Sequence, residues 1–507
     1  MNGKSVRLEQ DGFGCPMAHC NRNDDSLQDL PPLRSLETSQ KIDDPLVSPR
    51  AFVHLGAFTG EHAAVCVYDS TSHPALVAYD YKTGSILWTS PLEDLPGMFQ
   101  RWPSGILLAK LIVDGGPPQH CVFAANPVEF VAYKEDGRRF WKRATTQVSA
   151  DAPAGVGMPT SLTFTDRGEL VCVTTKGWVV KLDPLDGSVI SSYRMDASVF
   201  VDGREHRGVF VTTKSPVVVG DVLYVLADFK PNVSYPPLHP LFSPVHLVRI
   251  ELSQKGAAGS EREIKPLMNA ARAGDSVPDR VQVGVYKGTG SPPALVRPGT
   301  SPLLFVHAHS LTAAGLQPTI SAVEDRQGAL SVRWQTSFEI QPGDDVYAAP
   351  ALHADSGTLL VTTLQNIYVF RGVANLSGRI PCPAAVDPCH LVASASDPRT
   401  TSVKVGSPFA LAFDADRDEL VAYTNFRISV EPSFLSYGFL GAFALPLDHR
   451  VKPRPLWQGH LGISRDGAPI PGFGTFGQPA LFQHDGGNGQ TTGVIVNTVA
   501  TGTYIFR

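Results

Sequence analysis

The chain has 507 residues, of which 43% are hydrophobic and only 18% charged, with 46 glycines and 42 prolines. That balance suits short strands joined by many turns and supplies ample apolar surface for a core. A net charge of −5 with no basic block argues against nucleic acid as the main partner, and no apolar run approaches the about eighteen residues of a membrane span.

Taken in chain order, the opening "MNGKSVRLEQDGFG" carries no apolar signal core. Two settings follow: a cytoplasmic protein, or a periplasmic or secreted one whose signal has been removed. Next comes "GCPMAHCN", which gathers Cys15, Met17, His19 and Cys20. It has two readings. One is a local Cys15–Cys20 disulfide; the other is a soft-ligand site in which Cys15, His19 and Cys20 hold copper or zinc. A haem attachment is excluded because C-x-x-C-H is absent.

From Leu76, "LVAYDYKTGSILW" reads as an apolar strand, a polar turn ending in Gly, and a strand ending in Trp. The pattern returns as "FVAYKEDGRRFW" from Phe130, "WVVKLDPLDGSVISSY" from Trp178, "HLVRIELSQ" from His246 and "ISAVEDRQGALSVRW" from Ile320. Weaker copies begin at Ile367 and Phe439, and "GTYIFR" closes the chain. Most copies follow a Pro-initiated strand, such as "GMPTSLTF", "KSPVVVG", "GSPFALAF" or "GQPALF", and then a second apolar strand. Proline is tolerated at the first residue of a strand, where no ladder donor is needed. Each unit therefore reads as four strands.

Units that cannot bury both faces alone must stack on one another. The expected fold is all-β: an eight-bladed propeller of four-stranded blades. The last copy lacks its outer strand, so the N-terminal segment is expected to supply it. Residues 1–45 are expected to form an N-terminal extension carrying Cys15 and Cys20 and the closing strand. Residues 46–507 are expected to form a single propeller domain.

These hairpins and Pro-initiated strands resemble the pyrroloquinoline-quinone-type repeat family of quinoprotein dehydrogenases and their cofactor-free relatives. The dehydrogenases carry two adjacent cysteines that stack on the quinone, and this sequence has no Cys-Cys pair. The quinone is therefore not expected here. The resemblance implies a cofactor-free relative akin to the bacterial outer-membrane assembly propeller, a protein-binding scaffold.

Five further features bear on function. Cys382 and Cys389 form a second close pair that reads as a disulfide, whereas Cys66, Cys121 and Cys172 sit inside apolar strands as small hydrophobes. "FVHAHS" places His307 and His309 two apart, on one face of a strand. Asp69, Asp228, Asn425 and Asn497 end comparable strands, so these six polar residues are expected to line a ligand pocket at the channel mouth, with the two histidines as metal ligands. "DADRDEL" at Asp414–Leu420 imitates a calcium loop but has Glu419 where that loop needs Gly, and it reads as a hairpin turn. "PGFGTFGQP" (471–479) and the Pro-rich insertion "KPNVSYPPLHPLFSP" (230–244) read as surface loops.

Two function classes follow. The first is a monomeric binding propeller presenting a central pocket and loops to a small molecule or protein partner. The second is a metal-assisted enzyme, copper-dependent and an oxidoreductase in its sharpest form, with its histidines at the channel mouth. Neither G-x-S-x-G nor H-E-x-x-H occurs, so the common serine-hydrolase and zincin signatures are missing.

Overall fold

The structure is a computed structural model. It describes residues 6–10, 14–15, 28, 30–41, 51–59, 62–69, 75–80, 83, 85–93, 104–201, 204–232, 245–252, 280–289, 294–296, 300–313, 315–340, 346, 349–363, 366–374, 384–386, 400–405, 410–430, 435–461, 479–486, 489–498 and 502–507. Among these the only helix is one 3-10 turn, Thr145–Gln147. Everything else of regular structure is strand, arranged in eight antiparallel sheets that follow one another along the chain.

The expectation of an eight-bladed propeller of four-stranded blades is overturned: among the described residues seven blades are complete, not eight. Seven sheets draw a full set of four or more strands from one continuous stretch of chain, and the eighth does not. That last sheet has only Ala480–Gly486, Gly489–Thr498 and Gly502–Phe506 from the C-terminal stretch. Its fourth, outer strand is β3 (Ser39–Lys41), paired with Tyr504–Phe506. Nor are the other sheets uniform. The first and second gain inner strands from the N-terminal segment, β2 (Gly14–Cys15) and β1 (Val6–Gln10), and the fourth reaches six strands. In the first and second sheets the added strand lies on the bare outer side of the inner strand, and in the fourth, fifth and seventh the second strand is longer than the Pro-initiated strand beside it. The uncovered part of such an edge recruits another strand, because a bare row of backbone donors and acceptors is costly or sticky.

Apolar side chains alternate between the two faces of each sheet and meet those of the neighbouring sheet. Leu107, Phe123 and Phe130 of the second sheet share a cluster with Leu162, Leu170 and Trp178 of the third. Tyr423 and Leu440 of the seventh pack with Val494 and Tyr504 of the eighth. Cys121 and Cys172 are buried in the first of these clusters.

The recurrent hairpin has a structural meaning. Trp88 of the first sheet donates its indole N–H to the Glu135 carbonyl in the hairpin turn of the second, at 2.8 Å. Trp141 of the second does the same to Pro184 of the third, at 2.7 Å, and Trp334 of the fifth to Val373 of the sixth, at 3.3 Å. Elsewhere a cation replaces the indole: Lys181 reaches Leu252 at 2.8 Å, Arg249 reaches the Asp325 carboxylate at 2.7 Å and Arg371 reaches Pro446 at 3.1 Å. The glycine that ends such a turn lets the ring lie flat. Gly137 has φ +78°, and a Cβ there would stand 2.6 Å from Trp88 Cγ.

At the last described junction there is no hairpin to dock on. Trp457 donates instead to the Leu33 carbonyl, at 2.9 Å, in the stretch that leads into β3. The N-terminal strap thus stands in for a turn as well as for a strand. We expect Gly137→Ala to lower stability by roughly 1–3 kcal/mol, from backbone strain together with the displaced indole. Urea unfolding would read this, with a red shift of Trp fluorescence in the folded state.

Candidate functional site

The second strands of the fourth, fifth and seventh sheets, Val222–Pro231, Leu303–Thr312 and Glu419–Val430, run past the start of their Pro-initiated partners. In the fifth sheet Ala294–Leu295 covers only Leu303 and Leu304, and the stretch carrying the histidines pairs with Tyr286–Thr289. The tall hairpin continues to a tip where Leu311 is 62% exposed.

His307 and His309 share one face of that strand. Their rings stand 5.3 Å apart at 80°, and both side chains are buried, at 0% and 5% exposure. Phe305, on the same face, packs in a cluster with Leu352 and Leu359 of the sixth sheet. The imidazoles therefore sit on the face turned to the neighbouring sheet, since alternate residues of a blade strand face its two neighbours.

Register separates the residues that sequence alignment placed at one level. Asp69 lies opposite the first residue of its inner strand, Ala51. Asn425 and Asn497 lie two residues beyond those that face Ala410 and Ala480. Asp228 lies four beyond Tyr224, which faces Val217, and His309 five beyond Leu304, which faces Ala294. Asp228 forms an ion pair with Lys214 at 2.8 Å, and Asn425 is fully buried. Asp69 and Asn497 are described as strand residues only. The structure brings His307 and His309 together and spreads the other four around the ring.

Cys15 falls in β2, opposite Phe58, whereas His19, Cys20, Cys382 and Cys389 lie outside the described residues. Both expected disulfides and the Cys15/His19/Cys20 metal site therefore lie outside the described residues. Most of 230–244 and all of 471–479 except Pro479 are outside as well. Among the described residues no group of three or more His, Cys, Asp or Glu side chains is placed to hold a metal ion.

Two clusters escaped sequence reasoning because their members are far apart in the chain. In the first, Tyr224 donates to the Asp325 carboxylate at 2.5 Å beside Arg249. Burial and the neighbouring carboxylate push the phenol far up, so it stays a proton donor in a sheet junction. The second explains the "DADRDEL" turn. Arg34 of the strap donates to Asp414 at 2.6 Å and to Glu419 at 2.7 Å, while Arg454 grips Glu419 at 2.6 and 2.9 Å. These carboxylates latch the strap and are not calcium ligands. A Ser–His pair also occurs, His353 Nδ1 to Ser356 Oγ at 2.7 Å. Its hydroxyl donates to Thr358 Oγ1 at 2.9 Å, away from the imidazole, so the pair is not an activated nucleophile.

A family model described as outer membrane protein assembly factor BamB matches residues 54–231, which span the first three sheets and part of the fourth. Over those residues the chain matches the pyrroloquinoline-quinone-type repeat. No curated protein matches the chain. Solved structures similar to this repeat protein include a europium-containing methanol dehydrogenase, at 10% identity over 97% of each chain with a TM-score of 0.49. Others are the quinohemoprotein alcohol dehydrogenase of Comamonas testosteroni (13%, over 97% of this chain and 80% of that one, 0.35) and BamB of Moraxella catarrhalis (12%, over 94% and 99%, 0.31). Likeness at these levels says nothing of activity.

The strap latch gives a pH prediction. Burial works to raise the Glu419 carboxyl, but the hydrogen bonds and charges of Arg454 and Arg34 outweigh it and hold the group below the usual carboxylate range. A depressed pKa stabilises the fold above the unfolded value, and that contribution is lost as pH falls through the folded value. Arg34→Ala should therefore cost about 1–3 kcal/mol at neutral pH. The difference from wild type should shrink as acid protonates Glu419, which denaturant melts at a series of pH values would show.

Proposed function

We propose that the protein is a monomeric binding propeller that presents its tall hairpins and channel mouth to a protein partner, or to a small ligand. The observation that carries this reading is the extension of the hairpins Leu303–Arg326 and Glu419–Pro446 past the start of their inner strands. Long excursions on a rigid ring are suited to contacts, because the scaffold holds them without their own core. The description of the matched family as an assembly factor supports the same class of function. A periplasmic or secreted setting belongs to this reading, since the two close cysteine pairs would persist as disulfides there. No helix among the described residues is long and apolar enough to cross a membrane.

A second reading, a copper- or zinc-assisted oxidoreductase, has one specific observation in its favour: the adjacent His307 and His309 rings. Neutral imidazole is a common ligand for both metals, and each ligating ring needs an acceptor for its other nitrogen.

Two measurements decide between them. Cross-linking of the full chain in native extract, read by mass spectrometry, should give one recurrent partner with links within 303–326 and 419–446. Elemental analysis of the native protein should find less than about 0.1 metal per chain, as expected for a scaffold with no resident ion. Stoichiometric copper or zinc, lost in a folded His307→Ala, His309→Ala double variant, would establish the enzyme reading instead.

A further inference from the structure

β1 is the innermost strand of the second sheet and ends its strand order. It runs antiparallel to the end of Ser104–Val113, from Val6 opposite Val113 to Gln10 opposite Ala109. The other edge of Ser104–Val113 is taken by Gln119–Ala125. β1 therefore covers an inner edge that the four strands of the sheet leave bare.

The place where it lies is shaped for an extended strand. Leu8, opposite Leu111, is 5% exposed and enters the cluster of Leu107, Phe123, Leu162 and Phe164, between the second and third sheets. Glu9 lies opposite Lys110, which matches charge across the pair. The backbone of β1 passes against the third sheet's turn at Gly168, where φ is +79°. A Cβ on Gly168 would stand 2.9 Å from Leu8 N and 3.0 Å from Val6 O. A side chain on that turn would close the seat.

The strand is also lightly held. It pairs along one edge only, Leu8 is the one fully buried side chain among those described with Val6 half-buried beside it, and Arg7 is 70% exposed. The strap around Gln28 and Arg34, by contrast, is fixed by side-chain bonds to the seventh and eighth sheets. Segments with few buried contacts open at low free energy.

We propose that the inner edge of Ser104–Val113, with the Leu8 pocket and the Gly168 turn, is a docking site for an extended peptide. Residues 6–10 occupy it as an internal stand-in that a partner's strand replaces. Recognition is by strand addition, with main-chain bonds along the edge, an apolar residue at the Leu8 position and an acidic residue after it. This deepens the binding-propeller reading by naming a partner class and a second contact site, and it rests on that reading.

The test uses the full-length protein and a fluorescein-labelled peptide of residues 5–10, SVRLEQ. Leu8→Asp in the protein should release β1, speed hydrogen exchange of the 109–113 amides, and raise peptide affinity at least tenfold over wild type. The same peptide carrying Leu8→Asp should not bind. Adding Gly168→Val to the Leu8→Asp protein should abolish binding. The proposal is overturned if the folded Leu8→Asp protein exchanges its 109–113 amides faster yet binds the two peptides alike. It is equally overturned if those amides stay protected, for then β1 is not what covers the edge. Hairpin cross-links to a partner would survive either failure, so the binding-propeller reading is tested separately.

Discussion

Among the described residues each of the first seven sheets is held to the next by a donor that reaches across to a hairpin turn or, at the last junction, to the N-terminal strap. Trp88, Trp141, Trp334 and Trp457 supply an indole, and Lys181, Arg249 and Arg371 a cation. The bond itself is modest, on the order of 1 kcal/mol net. Its weight comes from where it sits. The donor's ring or alkyl stem covers the rim of an apolar cluster that neither sheet could bury alone, and the polar tip satisfies an acceptor, a carbonyl or the Asp325 carboxylate, that would otherwise be shielded from water. The indoles of Trp88, Trp141 and Trp334 reach a turn 39–47 residues on, and the cations of Lys181, Arg249 and Arg371 one 71–76 residues on. The interaction requires a glycine wherever the ring lies against the turn.

A chain of such contacts must end somewhere. The eighth sheet has no third-to-fourth-strand hairpin, so the rule could not be met by the C-terminal stretch alone. The N-terminal strap meets it twice, with the Leu33 carbonyl under Trp457 and with β3 as outer strand. Arg34 then fastens the strap to Asp414 and Glu419. Chain ends far apart in sequence thereby close one ring, and local opening at one end is coupled to the last sheet.

The same packing rule constrains function. Both faces of a blade are buried against neighbours, so a polar residue in mid-strand is a matter for a sheet junction, as the buried His307, His309 and Asn425 are. Binding capacity is left to what the faces do not use: the inner edges, the turns and the hairpins that overshoot. β1 on an inner edge and Leu311 at a hairpin tip are instances of the first and last.

Much of the fold was legible because its signals are local. Strand periodicity, a Gly after a polar turn, a Pro at the start of a strand and a Trp at its end all lie within one hairpin. From these residues the all-β propeller, its repeat and the need for a closing N-terminal strand could be read. The number of complete blades and the strand count of each could not be, because extra strands are recruited by edges that are left bare only in the folded sheet. The candidate site was legible only as far as the alternation that puts His307 and His309 on one face. Which neighbour that face meets, and the level of Asp69, Asp228, Asn425 and Asn497, depend on register and on stacking. Arg34 with Glu419 and Tyr224 with Asp325 left no trace in sequence, since their partners lie 385 and 101 residues apart. Local chemistry determined the element; only the closed ring decided which side chains met.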